Sequence, residues 1–407
     1  MDKDMPTRRK AKKKHKKLVI LFYVVLLIAL SIYTVKATLG DNKPSIVLET
    51  TTPEEINEVY RLSFIGLGDC LIHGYLYMDA DTGRKGSDGY NIYDFKPMFS
   101  YVKEFSKGYD LKYYNQETII GGKNLGLSGY PNFNSPDEVG DAMIDAGYNM
   151  VSLATNHAMD KGEKGILHSM SYWNSKTDVI KAGTYTSQAE RDKAMIYEKN
   201  GIKFAFLNYT YGTNGINVPK SYLVNVWGEG NFEGYKKTIA NDIAQVRDKV
   251  DIVMVAMHWG EEYQLGKTNN YQREAAKYLN SLGVDVIIGT HPHVVQPVEY
   301  VGDTLVIYSL GNMVSNQRYS QGMKSAIGGV AAFDIVKKVK DGKTTTKIEN
   351  PKVDLVYTHD VNHKNYRVMP FSKLNNSILS NYQSVYAQYK AYLNPKNDSR
   401  IQVGFIN

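Results

Sequence analysis

Short apolar runs that stop at glycine alternate along this chain with segments of helical spacing. Residues 61–69, RLSFIGLGD, read as a buried strand ending in a Gly-Asp turn. Residues 136–147 have helical spacing, with Pro136 in the first turn and Gly147 at the end. A strand over 148–157 and a helix over 163–174 follow. The pattern of 194–210 predicts a hairpin turning at Asn200-Gly201. Further on it predicts helices over 233–249 and 271–282, with strands over 251–259, 284–293 and 304–312. A second hairpin spans about 328–357 and turns at Asp341-Gly342, and an amphipathic helix covers 371–393. Strands alternating with helices and then giving way to hairpins predict an α/β architecture with mixed sheets. There is no internal repeat.

The N-terminus breaks this pattern. Arg8 to Lys17 contains eight Lys or Arg in ten residues, and the uncharged run LVILFYVVLLIALSIYTV occupies 18–35. At 1.5 Å per residue such a helix spans about 27 Å, close to the hydrocarbon thickness of a bilayer. A cleaved signal peptide also begins with basic residues, but its apolar stretch is shorter and ends at a small-residue site absent after Val35. The pattern therefore predicts a basic cytoplasmic tail (1–17), a single transmembrane signal-anchor (18–36), a polar linker (37–60) and a main extracellular domain (61–370). A C-terminal helix and tail (371–407) pack on that domain. Basic flanks stay cytoplasmic, which places the cell membrane among the expected partners.

Composition changes this picture only by exclusion. The chain has 407 residues, 43% hydrophobic and 22% charged, which excludes wholesale disorder and a multi-span membrane protein. One cysteine excludes a disulfide framework and Cys-rich zinc modules. The net charge of +7 lies in the tail, because the seventeen N-terminal residues hold nine Lys or Arg and two Asp. The rest balances, so no nucleic-acid partner is expected.

The candidate chemistry sits where strands end, the edge at which open α/β sheets bind ligands. Strand ends carry Asp69 with His73, Asn115 with Glu117, Asn156 with His157, His258 with Glu261 and Glu262, and His291 with His293. His291-Pro292-His293 puts two imidazoles on one side of a stiffened segment, a chelating geometry. Imidazoles, carboxylates and a carboxamide suit Mn, Fe or Zn rather than a thiolate-seeking metal. Gly311 allows close backbone approach beside this edge, and Asn312 is placed to contact a ligand or substrate. His168 lies in a helix and is read as structural. The polar stretch 358–363 is read as an exposed turn before a helix.

The stretches GDCLIH (68–73), NQET (115–118), SLATNHAMDKGEKGI (152–166), VAMHWGEEY (255–263), GTHPHVVQPVEY (289–300) and VIYSLGNMVSNQ (306–317) resemble the capsule synthesis protein CapA family. This family, also called the poly-γ-glutamate biosynthesis protein family, has a domain similar to calcineurin-like metallophosphoesterases. The resemblance implies a four-layer αββα sandwich with mixed sheets, preceded here by the one N-terminal transmembrane helix. It implies a centre of one or two divalent cations held by Asp69, Glu117, Asn156, His258, His291 and His293. His157 would then act as general acid or transition-state stabiliser, with His73, Asn115, Glu261 and Asn312 as supporting or substrate contacts. Two departures from the phosphoesterase pattern keep both ion counts open. His73 follows Asp69 by four residues rather than two, and Glu117 stands where a bridging Asp is usual.

Two functions follow from that resemblance. One is a metal-dependent hydrolase or transferase acting on a phosphoester or amide of an anionic envelope polymer. The other is a non-catalytic subunit for export or anchoring of that polymer, working with other capsule-synthesis membrane subunits.

Overall fold

The computed structural model describes residues 21–28, 58–228 and 232–406. The first half of the chain forms strands β1 (Glu58–Cys70), β2 (Asp81–Lys85), β3 (Asn91–Tyr93), β4 (Leu111–Gln116), β5 (Met150–Ser152), β6 (Ile180–Ala182), β7 (Ile196–Lys199) and β8 (Ile202–Thr210). The second half adds β9 (Ile252–His258), β10 (Val286–Thr290), β11 (Val298–Val301), β12 (Thr304–Ile307) and β13 (Asn312–Val314). It closes with β14 (Ile327–Lys340), β15 (Lys343–Val361), β16 (Lys364–Pro370) and β17 (Gln402–Val403).

These strands build two large mixed sheets. In the first the order is β16-β15-β14-β1-β4-β5-β6, with β13 beside β1 and β17 beside β15. In the second it is β11-β12-β10-β9-β8-β7, and β2 and β3 pair separately. Residue alternation sets the layering, because successive side chains of a strand face opposite sides. Leu62 and Phe64 of β1 join Phe204, Phe206, Met254, Ala256 and Ile288 in one apolar core between the sheets. Ile65 and Leu67 of β1 face a second core, shared with Val139 and Met143 of helix Glu138–Asp145 and with Ile166, Met170 and Trp173 of helix Gly162–Asn174. Val253, Val255 and Ile287 face a third, shared with helices Phe232–Val246 and Asn270–Ser281. The central strands are thus apolar on both faces, as sheets covered on both sides require. Two sheets face to face, each with helices outside, make four layers.

The expected hairpins form at Asn200-Gly201 and Asp341-Gly342, where all four residues take left-handed backbone. Three expectations need correction. First, the single strand predicted over 304–312 is two, with β12 in one sheet and β13 in the other. The chain crosses between sheets through Ser309–Gly311, with Gly311 at φ 61. Second, the helix predicted over 371–393 covers only Tyr382–Leu393. The Asn375 side chain accepts from Ser377 and Ile378 N–H groups and holds a turn there, and Asn381 at φ 55 bars helix continuity before 382. Third, the polar stretch 358–363 precedes no helix; β15 runs to Val361, and Asn362-His363 turns it into β16.

Strand β1 begins three residues earlier than expected, so 58–60 leave the predicted linker. Residues 21–28 are helical, while the remainder of the 18–36 span, the basic tail and 37–57 lie outside the described residues. Among the described residues, no helix is long and apolar enough to cross a membrane. The described residues from Glu58 onward form one compact unit.

The crossing at Gly311 fits against β1 so closely that a Cβ on Gly68 would stand 1.9 Å from the Gly311 carbonyl oxygen. Next to it, Asp69 N–H donates to that same oxygen at 2.8 Å. Gly68→Ala is expected to destabilise the protein by about 1–3 kcal/mol or more through overpacking against rigid backbone. Urea unfolding of the variant beside the parent measures this.

Candidate metal centre

Both sheets send polar side chains to one edge. Asp69, the last residue but one of β1, is in register with Asn115 of β4 and Asn312 of β13, and Glu117 follows β4 directly. His258 ends β9 opposite Thr290 of β10, and His291 and His293 lie immediately beyond β10. Asn156 and His157 occupy the loop after β5. The first sheet therefore supplies the carboxylates and carboxamides, and the second supplies three imidazoles.

Asp69, Glu117 and His258 are fully buried, and Asn156, His291 and His293 nearly so. Asp69 is held by Asn115 Nδ2 at 3.0 Å and by His291 N–H at 3.2 Å. Asn115 is itself fixed by the Ser152 hydroxyl, 2.7 Å from its Oδ1. His293 lies between the two acids, its Nδ1 3.3 Å from Asp69 Oδ2 and its Nε2 3.4 Å from Glu117 Oε1. Asn312 Oδ1 also meets His293 Nδ1, at 3.0 Å. His258 is oriented by Thr290 Oγ1 at 2.9 Å, and its Nε2 lies 3.0 Å from Asn156 Oδ1. His291 at φ 95 and His293 at φ 58 hold left-handed backbone uncommon for residues with a Cβ. Such strain persists where the surroundings over-determine a functional conformation.

The fit to a cation rests on orphaned atoms. Both oxygens of buried Glu117 and Nδ1 of buried His291 have no hydrogen-bond partner, a costly state for polar groups away from water. Three groups of ligand atoms lie within 4.8 Å of one another: Glu117 with His258 and His291, Asp69 with Glu117 and His293, and Glu262 with His291 and His293. Glu117 belongs to two of these groups, so the arrangement accommodates one ion or two. The residues present fit a divalent cation.

The other predicted residues divide. His157 lines the adjoining cavity; its Nδ1 is 2.7 Å from Asp160 Oδ2, and its ring stands edge-on to Phe133. His73 lines the same cavity and receives the Asn316 N–H on Nδ1, outside the three groups. Burial pushes its pKa down to about 4, so it is a neutral imidazole at pH 7. Glu261 is exposed and joins none of the groups. Its neighbour Glu262 reaches in instead, 3.9 Å from His293 Nε2. His168 pairs with Asp137 on the helix surface.

Sequence reasoning missed Asp160 and Asn214. Asp160 receives the Phe133 N–H as well as contacting His157, and Asn214 Oδ1 accepts from Asn156 Nδ2 at 3.2 Å. The His-x-x-Asp spacing of 157 and 160 was a readable signal; Asn214, 58 residues from its partner, offered none.

Electrostatics follow from burial. Desolvation pushes the Glu117 carboxyl well above its usual range. Desolvation, reinforced by neighbouring imidazoles, pushes His258 and His291 well below theirs. Burial acts the same way on His293, but Glu117 and Asp69 overcome it and raise this residue to about 9. Without metal, the Glu117–His293 pair therefore keeps a proton at pH 7. A group raised above its unfolded value stabilises the fold below that value and loses the contribution as pH rises through the folded one. The stability of chelator-treated protein is thus expected to fall from pH 6.5 to about 9, and Glu117→Gln to flatten that slope; thermal unfolding across this range measures both. Because a cation displaces the proton, apparent metal affinity is expected to rise with pH over the same window, by about tenfold per unit for each proton displaced.

A family model described as bacterial capsule synthesis protein PGA_cap matches residues 63–317, which include every residue of this centre. The PGA biosynthesis protein CapA of Bacillus subtilis (strain 168) is 28% identical over 275 residues, 67% of either chain. The capsule biosynthesis protein CapA of Bacillus anthracis is 25% identical over 352 residues, covering 81% of this chain and 77% of that one. Among solved structures, the calcineurin-like phosphoesterase YfkN from Bacillus subtilis aligns with 15% identity and a TM-score of 0.41, over 81% of this chain and 98% of that chain. With well over half of its length matched by the family, this chain belongs to the bacterial capsule synthesis proteins of the PGA_cap family.

Proposed function

We propose that this protein serves the synthesis of a capsule or related envelope polymer through a divalent-cation-dependent, hydrolase-like centre. Asp69, Glu117, Asn156, His258, His291 and His293 hold the cation, which the nitrogen and oxygen donors select as Mn, Fe or Zn. The observation that carries the reading is Glu117, whose two oxygens lie buried without a hydrogen bond, Oε1 being 3.4 Å from His293 Nε2 and 3.9 Å from His258 Nε2, with His291 in the same cluster. A structural acid would have its own hydrogen bonds. The cation supplies Lewis-acid polarisation and charge stabilisation at the oxygen of a phosphoester or carbonyl.

The chain's own residues do the rest. Asp160 fixes His157 through Nδ1, which leaves Nε2 as the nitrogen that exchanges a proton with a leaving group. Asn214 orients Asn156 so that its carboxamide oxygen points at His258. The apolar run 18–35 behind its basic tail supports anchorage in the cell membrane with the main unit outside. There the centre would meet polymer emerging from other membrane subunits.

Full-length protein, purified in detergent without chelators, is expected to carry about one or two equivalents of metal by plasma mass spectrometry. His291→Ala/His293→Ala should lose it. His157→Ala should keep the metal yet lose hydrolysis of phosphoester or amide substrates by about 10²–10⁴-fold, together with capsule production in the producing cell. Metal retained with capsule intact in His157→Ala would instead favour a non-catalytic role in export or anchoring.

A further inference from the structure

The long hairpin of β14 and β15 turns beside the start of β1, at the opposite end of that strand from the metal centre. Glu58 pairs with Val339, whereas Asp69 pairs with Asn312. From Glu58 to Asp69 is about 36 Å at strand spacing. The hairpin thus lies where the polypeptide coming from the N-terminal segment enters the main unit. Residues 37–57 separate Glu58 from the predicted span and reach at most about 75 Å.

Register sorts the side chains of this hairpin. Lys340 pairs with Lys343, Lys338 with Thr345 and Val336 with Lys347, while Val59 and Arg61 of β1 pair with Lys338 and Val336. Cross-strand partners share a face, as do residues two apart along a strand. Arg61, Lys338, Lys340, Lys343 and Lys347 therefore stand on one side of the sheet, and all five are exposed. It is the outer side, because Leu62 and Ile335, each one residue along, lie in the core between the sheets. Two acids on this side are taken up locally. Glu349 pairs with Lys338 at 3.0 Å and lies 3.8 Å from Arg61, and Asp334 accepts from Asn350 at 2.9 Å. Asp341 adds one exposed carboxylate at the turn. Among the described residues, Lys340, Lys343 and Lys347 have no ion pair.

Two lysines directly opposite each other repel and cost a hairpin stability. No ion pair within the described residues offsets that repulsion, so the counterpart is an anionic surface outside the chain. A polybasic cluster close to a membrane segment is drawn to anionic headgroups within about a Debye length of the bilayer. Val59, 53% exposed among these cations, adds an apolar contact. Resting on the reading that the apolar run 18–35 anchors the protein, we propose that this face of the β14–β15 hairpin docks on the anionic lipid headgroups of the bilayer that holds the chain. Docked in this way, the metal-binding edge at the other end of β1 faces away from the lipid.

The test uses full-length protein carrying Thr345→Cys, which takes a fluorophore on this face while Cys70 stays fully buried and unlabelled. The labelled protein is reconstituted into vesicles of phosphatidylcholine alone or with about one-third phosphatidylglycerol, both containing a trace of headgroup-nitroxide lipid. Quenching of the label is expected in the anionic vesicles at about 50 mM salt, with at least about a twofold fall at about 500 mM and none in the neutral vesicles. Lys340→Gln/Lys343→Gln/Lys347→Gln should lose the quenching, and the three corresponding arginine substitutions should keep it. In neutral vesicles the glutamine variant should unfold at the same temperature or higher, because the Lys340–Lys343 repulsion is gone. Equal quenching in both kinds of vesicle, or quenching in neither by protein that resists carbonate extraction, overturns the docking alone. A change of emission on adding γ-linked polyglutamate, with no effect of phosphatidylglycerol, overturns it in favour of the polymer. Protein that carbonate extracts from the vesicles fails the anchorage reading itself, and the docking falls with it.

Discussion

The contact between β1 and the link Ser309–Gly311 is the constraint on which the rest of the edge depends. At that point the chain leaves one sheet and enters the other, and the hydrogen bond from Asp69 to Gly311 fixes the separation of their carboxyl ends. Only glycine at 68 leaves room for it. With that distance set, carboxylates rooted in the first sheet face imidazoles rooted in the second at 3.3–3.9 Å. A shift of one sheet against the other by a few ångström would separate acids from bases and leave both buried without compensation.

Burial then sets the chemistry. Desolvation pushes the acid up and two of the imidazoles down, so the centre prefers a state with little net charge until a cation arrives. His293 departs from this because it alone stands between two carboxylates. It holds a proton between them, in the place where the ligand geometry would admit a cation.

Much of this could be read from the sequence, for identifiable reasons. Strand ends are marked by residues whose backbone or chemistry is unusual, such as Gly68-Asp69, Asn156-His157 and His291-Pro292-His293, and these are the residues the fold brings together. Hairpin turns at Asn200-Gly201 and Asp341-Gly342 were legible because left-handed backbone at two successive positions selects few residues. Other features were decided by tertiary geometry. Glu262 rather than Glu261 reaches the centre because Gly260 and Tyr263 both take positive φ and rotate the turn between them. The division of 304–312 into two strands is invisible to hydropathy, since Leu310 and Asn312 are buried whichever sheet receives them. Asn214 and the rim residues Tyr130 and Asn132 lie on loops with no periodicity to read.

The short turn Asn362-His363 has a reach out of proportion to its size. Its imidazole is wedged between Tyr75 and Tyr319 and hydrogen-bonded to Asn316, so a hairpin from the far edge of the first sheet braces one bank of the cavity. That bank is tied to the metal-binding edge through Gln317 and Asn312 as well. The bank carrying Tyr130 and Asn132 is held instead through Phe133, which stands edge-on to Tyr130 and His157 and donates its N–H to Asp160. Substitutions on the braced side would disturb the cluster of acids and imidazoles through Gln317 and Asn312, while those at Tyr130 and Asn132 would leave that cluster in place. Within such an architecture a short loop can be rewritten while the edge it faces stays in place.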